Sequence, residues 1–311
     1  MNNHQKLWIW TLVLALVVLG VMLRVRVSAD LPLDADESIA GLMARNIAYE
    51  GEAPLFLYGE SYVGSAMQFV VAGMFRLFGF HPQFIRWPEY LWSGLFLLLG
   101  FLIARRTDST ESGLWTLLLL ALPPIFLSII NLKSWGDYNE TFCLGGLLWL
   151  LSLKLCDEDH GSLKNLFPLF VWGLAFGLGF WIHFPILIYA IPSGLWLLWY
   201  GFRSLFPWRW GILLLGFLIG WAPALYYNLT NGWANLGYAA KGGWDYLTRL
   251  EMSGKMLIRM VEQGMPFLLG VQDDSARFIE FDQFDPMFAK VAIVGGVLFA
   301  LGLHLYRNEG L

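Results

Sequence analysis

The sequence predicts an all-α polytopic membrane protein. Of its 311 residues, 57% are hydrophobic and only 14% charged, too apolar for an ordinary soluble domain. Apolar runs near 20 residues recur along the chain, the length a helix needs to cross the hydrocarbon core. The alternating segments of about ten residues that build a membrane barrel are absent.

Eight spans are expected, near 7–23, 87–104, 114–131, 139–155, 165–182, 184–201, 210–227 and 288–306. The first, LWIWTLVLALVVLGVML, has no small-x-small cleavage site ahead of the acids that follow. Arg24 and Arg26 come directly after it, so it reads as a retained span rather than a removed signal. In the segment 24–86, Ile39, Leu42, Met43 and Ile47 keep helical spacing. Gly51 supplies a stop and Pro54 lies beyond it, giving an amphipathic surface helix over 36–49. The next stretch, SYVGSAMQFVVAGMFRLFGF, carries Arg76 and reads as a second surface helix, a re-entrant helix or a further span. The fifth and sixth spans meet at His183-Phe184-Pro185, where proline discourages one continuous helix. Cys143 and Cys156 have no metal-ligand spacing and suggest no disulfide framework.

Basic residues in short loops fix the expected orientation. Lys6, Arg105, Arg106, Lys154, Lys164, Arg203, Arg209 and Arg307 all fall on one side if the N-terminus is cytoplasmic, against Lys133 in the short opposite loop. The chain is therefore expected to be a single transmembrane domain over 1–311. Its two large extracytoplasmic loops, 24–86 and 228–287, hold most of the acids. A bacterial or archaeal plasma membrane is the expected location.

The candidate chemistry starts at Leu33–Ala40, LDADESIA. Asp34 and Glu37 have the spacing of a capping box, an N-cap side chain with a Glu three positions on. Acids also suit a helix N-terminus. Capping gives Asp34 a role that Asn would fill as well, and leaves Asp36 without a structural need. A second polar cluster, Lys133-Ser-Trp-Gly-Asp137-Tyr138-Asn139-Glu140, lies at the mouth between the third and fourth spans. It reads either as a polar hairpin with interfacial aromatics or as a place for Asp137 and Glu140 to orient a ligand, with Trp135 or Tyr138 stacked against it.

His183, at the end of the fifth span, is an interfacial histidine or a ligand-binding one. Arg86, at the start of the second, snorkels to headgroups or meets a phosphate. Lys241, Arg249, Lys255 and Arg259 form a solvated face or bind an anionic ligand. Asp273 and Asp274 offer carboxylates to a cation without EF-hand spacing, so no metal site is assigned and no cofactor is expected. Asn139-Glu-Thr and Asn228-Leu-Thr match glycosylation sequons.

The ordered set LDADESIAGLMARNIAYEGEAPLFLYGESYVGSAMQF, LFGFHPQFIRWPEYLWSGL, LALPPIFLSIINLKSWGDYNETFCLGGLL, GLAFGLGFWIHFPILIYAIP and APALYYNLTN resembles the GT-C membrane glycosyltransferases. It is most similar to the family-39-like group related to protein mannosyltransferases and aminoarabinose transferases, over most of residues 1–235. The resemblance implies a GT-C-like fold and a polyprenyl-phosphate sugar donor. The acceptor it implies is a hydroxyl on a glycan, lipid or protein, at the extracytoplasmic membrane face. It assigns Asp36 as base, with Glu37 as its catalytic neighbour. The candidate substrate-binding residues are Asp137, Glu140, Tyr138, His183, Arg86 and Lys241. Relatives are longer, so the chain reads as a short or truncated member. Transfer in one displacement would invert the anomeric centre. The competing readings are a lipid or small-solute transporter or flippase, which charges deep within the spans would favour, and an inactive membrane fragment.

Overall fold

The computed structural model describes residues 3–29, 31–123, 125–135, 138–157, 166–201 and 207–241. They form α-helices joined by short turns, with two isolated β-bridges, Phe56 to Gly64 and Val63 to His183. Residues Met1–Pro123 and Ile130–Gly242 form one compact unit. Pro124–Ile129 and Gly243–Leu311 form a second, whose described residues are 125–129. The expected span 288–306 and nearly all of the loop 228–287 lie outside the described residues.

Helix α1, Asn3–Ala29, is longer than the expected 7–23. Nothing between Arg24 and Ala29 stops a helix, and 27 residues rise about 40 Å against a hydrocarbon core of about 30 Å. In the first unit α1 packs on α4, Trp87–Thr107, and α5, Thr110–Ala121, through Val13, Leu97, Phe101, Leu117 and Ala121.

The expected third span, 114–131, is not one helix. Helix α5 ends at Ala121 ahead of Pro123 and Pro124, and α6 covers Ile125–Ile130. The two prolines remove backbone donors and push the preceding residue out of helical geometry.

Helix α7, Tyr138–Asp157, packs on α4, on α8, Leu166–Ile182, and on α9, Leu187–Gly201. Its core with α8 and α9 includes Leu144, Leu148, Trp172, Ala175 and Ile186. The break expected at His183-Phe184-Pro185 is present, as a short 3-10 turn over Phe184–Ile186. Helix α10, Pro207–Thr230, lies against α8. There Gly173 and Gly177 face Gly216 and Gly220. A Cβ at any of the four would collide with a backbone carbonyl of the opposite helix, those of Leu213, Phe217, Phe170 and Leu174 in turn. Both helices carry the G-x-x-x-G spacing by which membrane helices bring their backbones together.

Helices α1, α4 (with the turn from Pro82) and α10 (from Trp208) are long and apolar enough to cross a membrane; Ala66–Phe78, Leu166–Ile182 and Phe184–Trp199 are shorter apolar helices. The protein is an integral membrane protein.

The first loop folds into two helices, α2 at Ala35–Tyr49 and α3 at Ala66–Phe78. Helix α2 ends as expected: the Glu50 N–H returns to the Asn46 carbonyl and Gly51 takes φ +77°, a left-handed conformation that glycine adopts without cost. Its apolar face does not simply lie on a surface. Met43 and Ile47 are buried against Val71 and Phe75 of α3, while Ile39 and Leu42 are exposed. Helix α3 has 13 residues, about 20 Å, too short for the further span. Its Arg76 donates to the Ala48 and Ile47 carbonyls at the end of α2, 2.8 and 2.9 Å away.

Candidate active site

Asp34 caps α2. Its carboxylate accepts from the Glu37 N–H at 3.0 Å and Glu37 reaches back to the Asp34 N–H at 3.3 Å, the reciprocal capping box expected from spacing. The cap has a second duty. The other Asp34 oxygen accepts from Lys133 Nζ and from Trp135 Nε1, each at 2.9 Å. Partial burial pushes this carboxyl's pKa up. The bonds from Glu37 N–H, Lys133 and Trp135 outweigh burial and hold it below the usual carboxylate range. Asn in its place would present an amide to two donors, so Asp34 is more than an exchangeable cap.

Glu37 is fully buried. Arg86 grips both its oxygens, Nε to Oε1 at 2.6 Å and Nη2 to Oε2 at 2.7 Å. Lys133 Nζ lies 3.2 Å from Oε2, and the Ser134 N–H donates to Oε1. The rest of the Arg86 fork donates to the carbonyls of Ser28, Leu31 and Pro32. A guanidinium has five N–H donors, and all five are used. Arg86 is buried between α1 and α2 with every N–H donor directed to protein oxygen. The two acids Asp34 and Glu37 and the two bases Arg86 and Lys133 form a neutral clamp across the start of α2.

Asp36, between the clamped acids, is exposed. It makes no hydrogen bond or ion pair among the described residues.

The segment carrying Lys133 and Trp135 is anchored by a buried polar network. Arg24 donates to the Gly20 and Leu120 carbonyls and to Asn131 Oδ1. Asn131 donates to Asn139 Oδ1 at 2.6 Å, and Asn139 donates to Glu89 Oε2 at 2.7 Å and to the Asn131 carbonyl. Ser93 adds a bond to the same carbonyl. The sequence reading missed Arg24 and Glu89 as buried charges. The signal was the absence of a helix stop after residue 23, which draws Arg24 inside α1. Asn139 and Asn228 are both buried with their side-chain nitrogens donating inside the fold, so the two sequons are not open to modification in the folded chain.

From Trp135 a row of rings continues. Trp135 lies 6.1 Å from Tyr138, Tyr138 lies edge-on 5.8 Å from His183, and His183 lies 6.3 Å from Tyr62. His183 is set there by extended pairing: its neighbour Ile182 accepts from the Gly64 N–H at 2.8 Å. A Cβ at Gly64 would come within 2.7 Å of the Trp181 carbonyl, so the loop must have glycine there to approach α8. Trp181 donates to the Leu55 carbonyl and Asn235 to the Ser61 carbonyl, tying the same loop to α8 and to α11, Ala234–Lys241.

Tyr138 and His183 thus meet, and Trp135 joins them to Asp34. Tyr62 was not anticipated; only the fold brings it there. Glu140 is buried in the first turn of α7. Asp137 lies outside the described residues, Lys241 is described only as the last residue of α11, and Arg249, Lys255, Arg259, Asp273 and Asp274 lie outside them too. Among the described residues no cluster of His, Cys, Asp and Glu is arranged to hold a metal.

Comparison with known proteins adds the following. No curated protein sequence matches the chain. Among solved structures, the archaeal oligosaccharyltransferase AglB from Archaeoglobus fulgidus, in complex with an inhibitory peptide and a dolichol-phosphate, is similar over 90% of this chain. The identity is 13% and the TM-score 0.48, and the chain spans 41% of that protein's length. The family model for dolichyl-phosphate-mannose-protein mannosyltransferases matches residues 65–227, from just before α3 into α10 and beginning after the acids of α2. By that match over half its length, the chain belongs to the dolichyl-phosphate-mannose-protein mannosyltransferase family of GT-C membrane glycosyltransferases.

Proposed function

We propose that the chain moves a sugar from a polyprenyl-phosphate donor to an acceptor hydroxyl at the extracytoplasmic membrane face, with inversion of the anomeric centre. The observation that carries this reading is the division of labour among three neighbouring acids. Asp34 and Glu37 are consumed by Lys133, Trp135 and Arg86, while Asp36, on the same helical turn, is exposed and uncommitted. A carboxylate that structure does not need is available to accept a proton.

In this reading Asp36 takes the acceptor hydroxyl's proton as oxygen attacks the anomeric carbon and the lipid phosphate departs. A positioned base contributes roughly 10²–10⁴-fold. Glu37 is a positioning residue rather than a second base, because its charge is already matched by Arg86. Trp135, Tyr138 and His183 offer ring faces and edges to a sugar beside Asp34. The departing phosphate needs donors or positive charge; His183, Lys133 on the clamp's rim and Lys241 are the candidates. Glu140 and Asp137 remain candidate substrate-orienting groups, and no cofactor is invoked. Membership of a family described by a lipid-phosphate-linked sugar supports the donor class. The buried charges Arg24 and Glu89 do not favour a transport path, since helix carbonyls and asparagines hold them in place.

The test is sugar transfer in membranes from prenyl-phosphate sugars, with the donor found first using wild type. Asp36→Asn should retain folding and lose roughly 10²-fold or more in turnover. Near-normal turnover by a folded Asp36→Asn protein would rule out the base role.

A further inference from the structure

The chain reverses where α10 ends. Gly232 and Trp233 both take left-handed backbone, φ +60° and +61°, which glycine adopts without cost and a bulky residue rarely does. The turn brings the Trp233 N–H to the Asn228 carbonyl at 2.9 Å and lays α11 beside the last turn of α10. Asn228 and Asn235 meet there, both buried. Asn228 Nδ2 donates to the Ala224 carbonyl at 2.9 Å and to Asn235 Oδ1 at 3.3 Å, and Asn228 Oδ1 accepts from the Leu236 N–H. Asn235 Nδ2 in turn donates to the Ser61 carbonyl at 2.6 Å, a contact between residues 174 apart in sequence.

Ser61 belongs to a hairpin with a fixed base. Phe56 bridges to Gly64, the Leu57 N–H donates to the Val63 carbonyl at 2.8 Å, and Gly59 turns the tip at φ +84°. Phe56 stands edge-on to Tyr227 of α10 at 4.7 Å and packs with Trp181 and Ala224, which secures the outgoing arm. On the returning arm Tyr62 follows Ser61, and its ring lies 6.3 Å from His183. Tyr62 is therefore held from both sides, at Ser61 by Asn235 and at Val63 by the bridge to His183.

We propose that Asn235, held in place by Asn228, is a positioning residue for the Tyr62–His183 ring pair. The chain that follows α10 then sets the end of the ring row farthest from Asp34. This deepens the reading above, in which His183 meets the donor, and rests on it; Asn235 itself touches no substrate. An amide both accepts and donates, so Asn235 can receive the Asn228 bond and give one to Ser61 at the same time. Leucine, of similar volume, does neither, and would leave Tyr62 held on one side only. The strained backbone at Trp233 serves the same contact, because without the reversal Asn235 would not reach Asn228.

The experiment uses the full chain in lipid nanodiscs, with isotope-labelled histidine read by NMR. The sequence has 5 histidines, and the ring signals of His183 are those lost in His183→Gln. Asn235→Leu is compared with Asn231→Ala, a control in the same turn whose side chain bonds to the Tyr227 carbonyl and the Thr230 hydroxyl. Asn235→Ser, smaller and still polar, takes its place should Asn235→Leu fail to fold. The expected result is a shifted His183 signal in the Asn235 variant and an unshifted one in Asn231→Ala. Donor KM and kcat are then measured with the prenyl-phosphate sugar that wild type uses. KM should rise several-fold with kcat within about twofold, the pattern of lost binding that ground and transition states share. In a Tyr62→Ala background the same change should add nothing. An unshifted His183 signal in a folded Asn235 variant would overturn the proposal. So would an unchanged KM, or an equal further loss on top of Tyr62→Ala. Should wild type transfer no sugar from any prenyl-phosphate donor, the sugar-transfer assignment falls, while the His183 signal still decides whether Asn235 sets the ring pair.

Discussion

Glu37→Gln tests the clamp directly, because it changes one oxygen to an amide and removes one charge without changing size. Glu37 is completely buried and receives two bonds from Arg86, one from the Ser134 N–H and an ion pair from Lys133. With the carboxylate gone, Arg86 stays buried with its carbonyl partners but without a counter-charge, and an amide N–H faces one of the donors that Glu37 satisfied. Removing one partner of a buried ion pair costs about 3–5 kcal/mol. For a domain of this size that corresponds to a fall in Tm on the order of 10 °C. The assay is thermal unfolding of purified protein in detergent at one fixed scan rate, since unfolding of a membrane protein is a rate as much as an equilibrium. The neighbouring Asp36→Asn is the control: its carboxylate has no partner among the described residues, so its Tm should stay within a degree or two of wild type, within the usual range for surface changes. The reasoning fails if Glu37→Gln is as stable as Asp36→Asn, or if losing Asp36 costs as much as losing Glu37.

Three further outcomes follow, two from the clamp and one from the α8–α10 crossing. Asp34→Asn should cost about 1–2 kcal/mol, the worth of two charge-assisted bonds discounted for a side chain 35% exposed. In a double-mutant cycle with Lys133→Met part of that cost should appear as coupling, and strict additivity would show that the 2.9 Å pair contributes nothing. Because the folded Asp34 pKa is depressed, its contribution is present above the unfolded value of roughly 3.9. It is lost as pH falls through the folded value, so wild-type Tm should decline through that acid window with a steeper slope than Asp34→Asn. At the α8–α10 crossing, Gly177→Ala should already destabilise and Gly177→Leu should cost about 3 kcal/mol or more, beyond ordinary overpacking, because the obstacle is the Phe217 carbonyl rather than a side chain. A Gly177→Leu protein with unchanged Tm in detergent would mean the two backbones are not in contact.

Class, membrane location and most helix positions are determined by the sequence itself, because they follow from local rules. A run of apolar residues must become a helix in lipid whatever surrounds it. Proline breaks the chain at Pro185 for reasons within a few residues, and Asp34 caps α2 from three residues away. The same local rules applied to Pro123 and Pro124 account for the split between α5 and α6, which hydrophobicity alone runs together. The capping box and the free acid within it are likewise legible in DADE. What capping could not say is which distant groups those acids would meet. Arg86 and Lys133 lie 49 and 96 residues beyond Glu37 in sequence, and no pattern along the chain pairs them. Only the packing of the end of α1, of Leu31 and Pro32, and of α2 around the start of α4 occupies all of the Arg86 donors and makes it a buried strut. In the same way the tertiary fold, and not the periodicity of α2, decided that Met43 and Ile47 face protein while Leu77 and Phe78 of α3 are left bare. An amphipathic face specifies that something apolar must cover it; which element does so is settled by what the rest of the chain brings alongside.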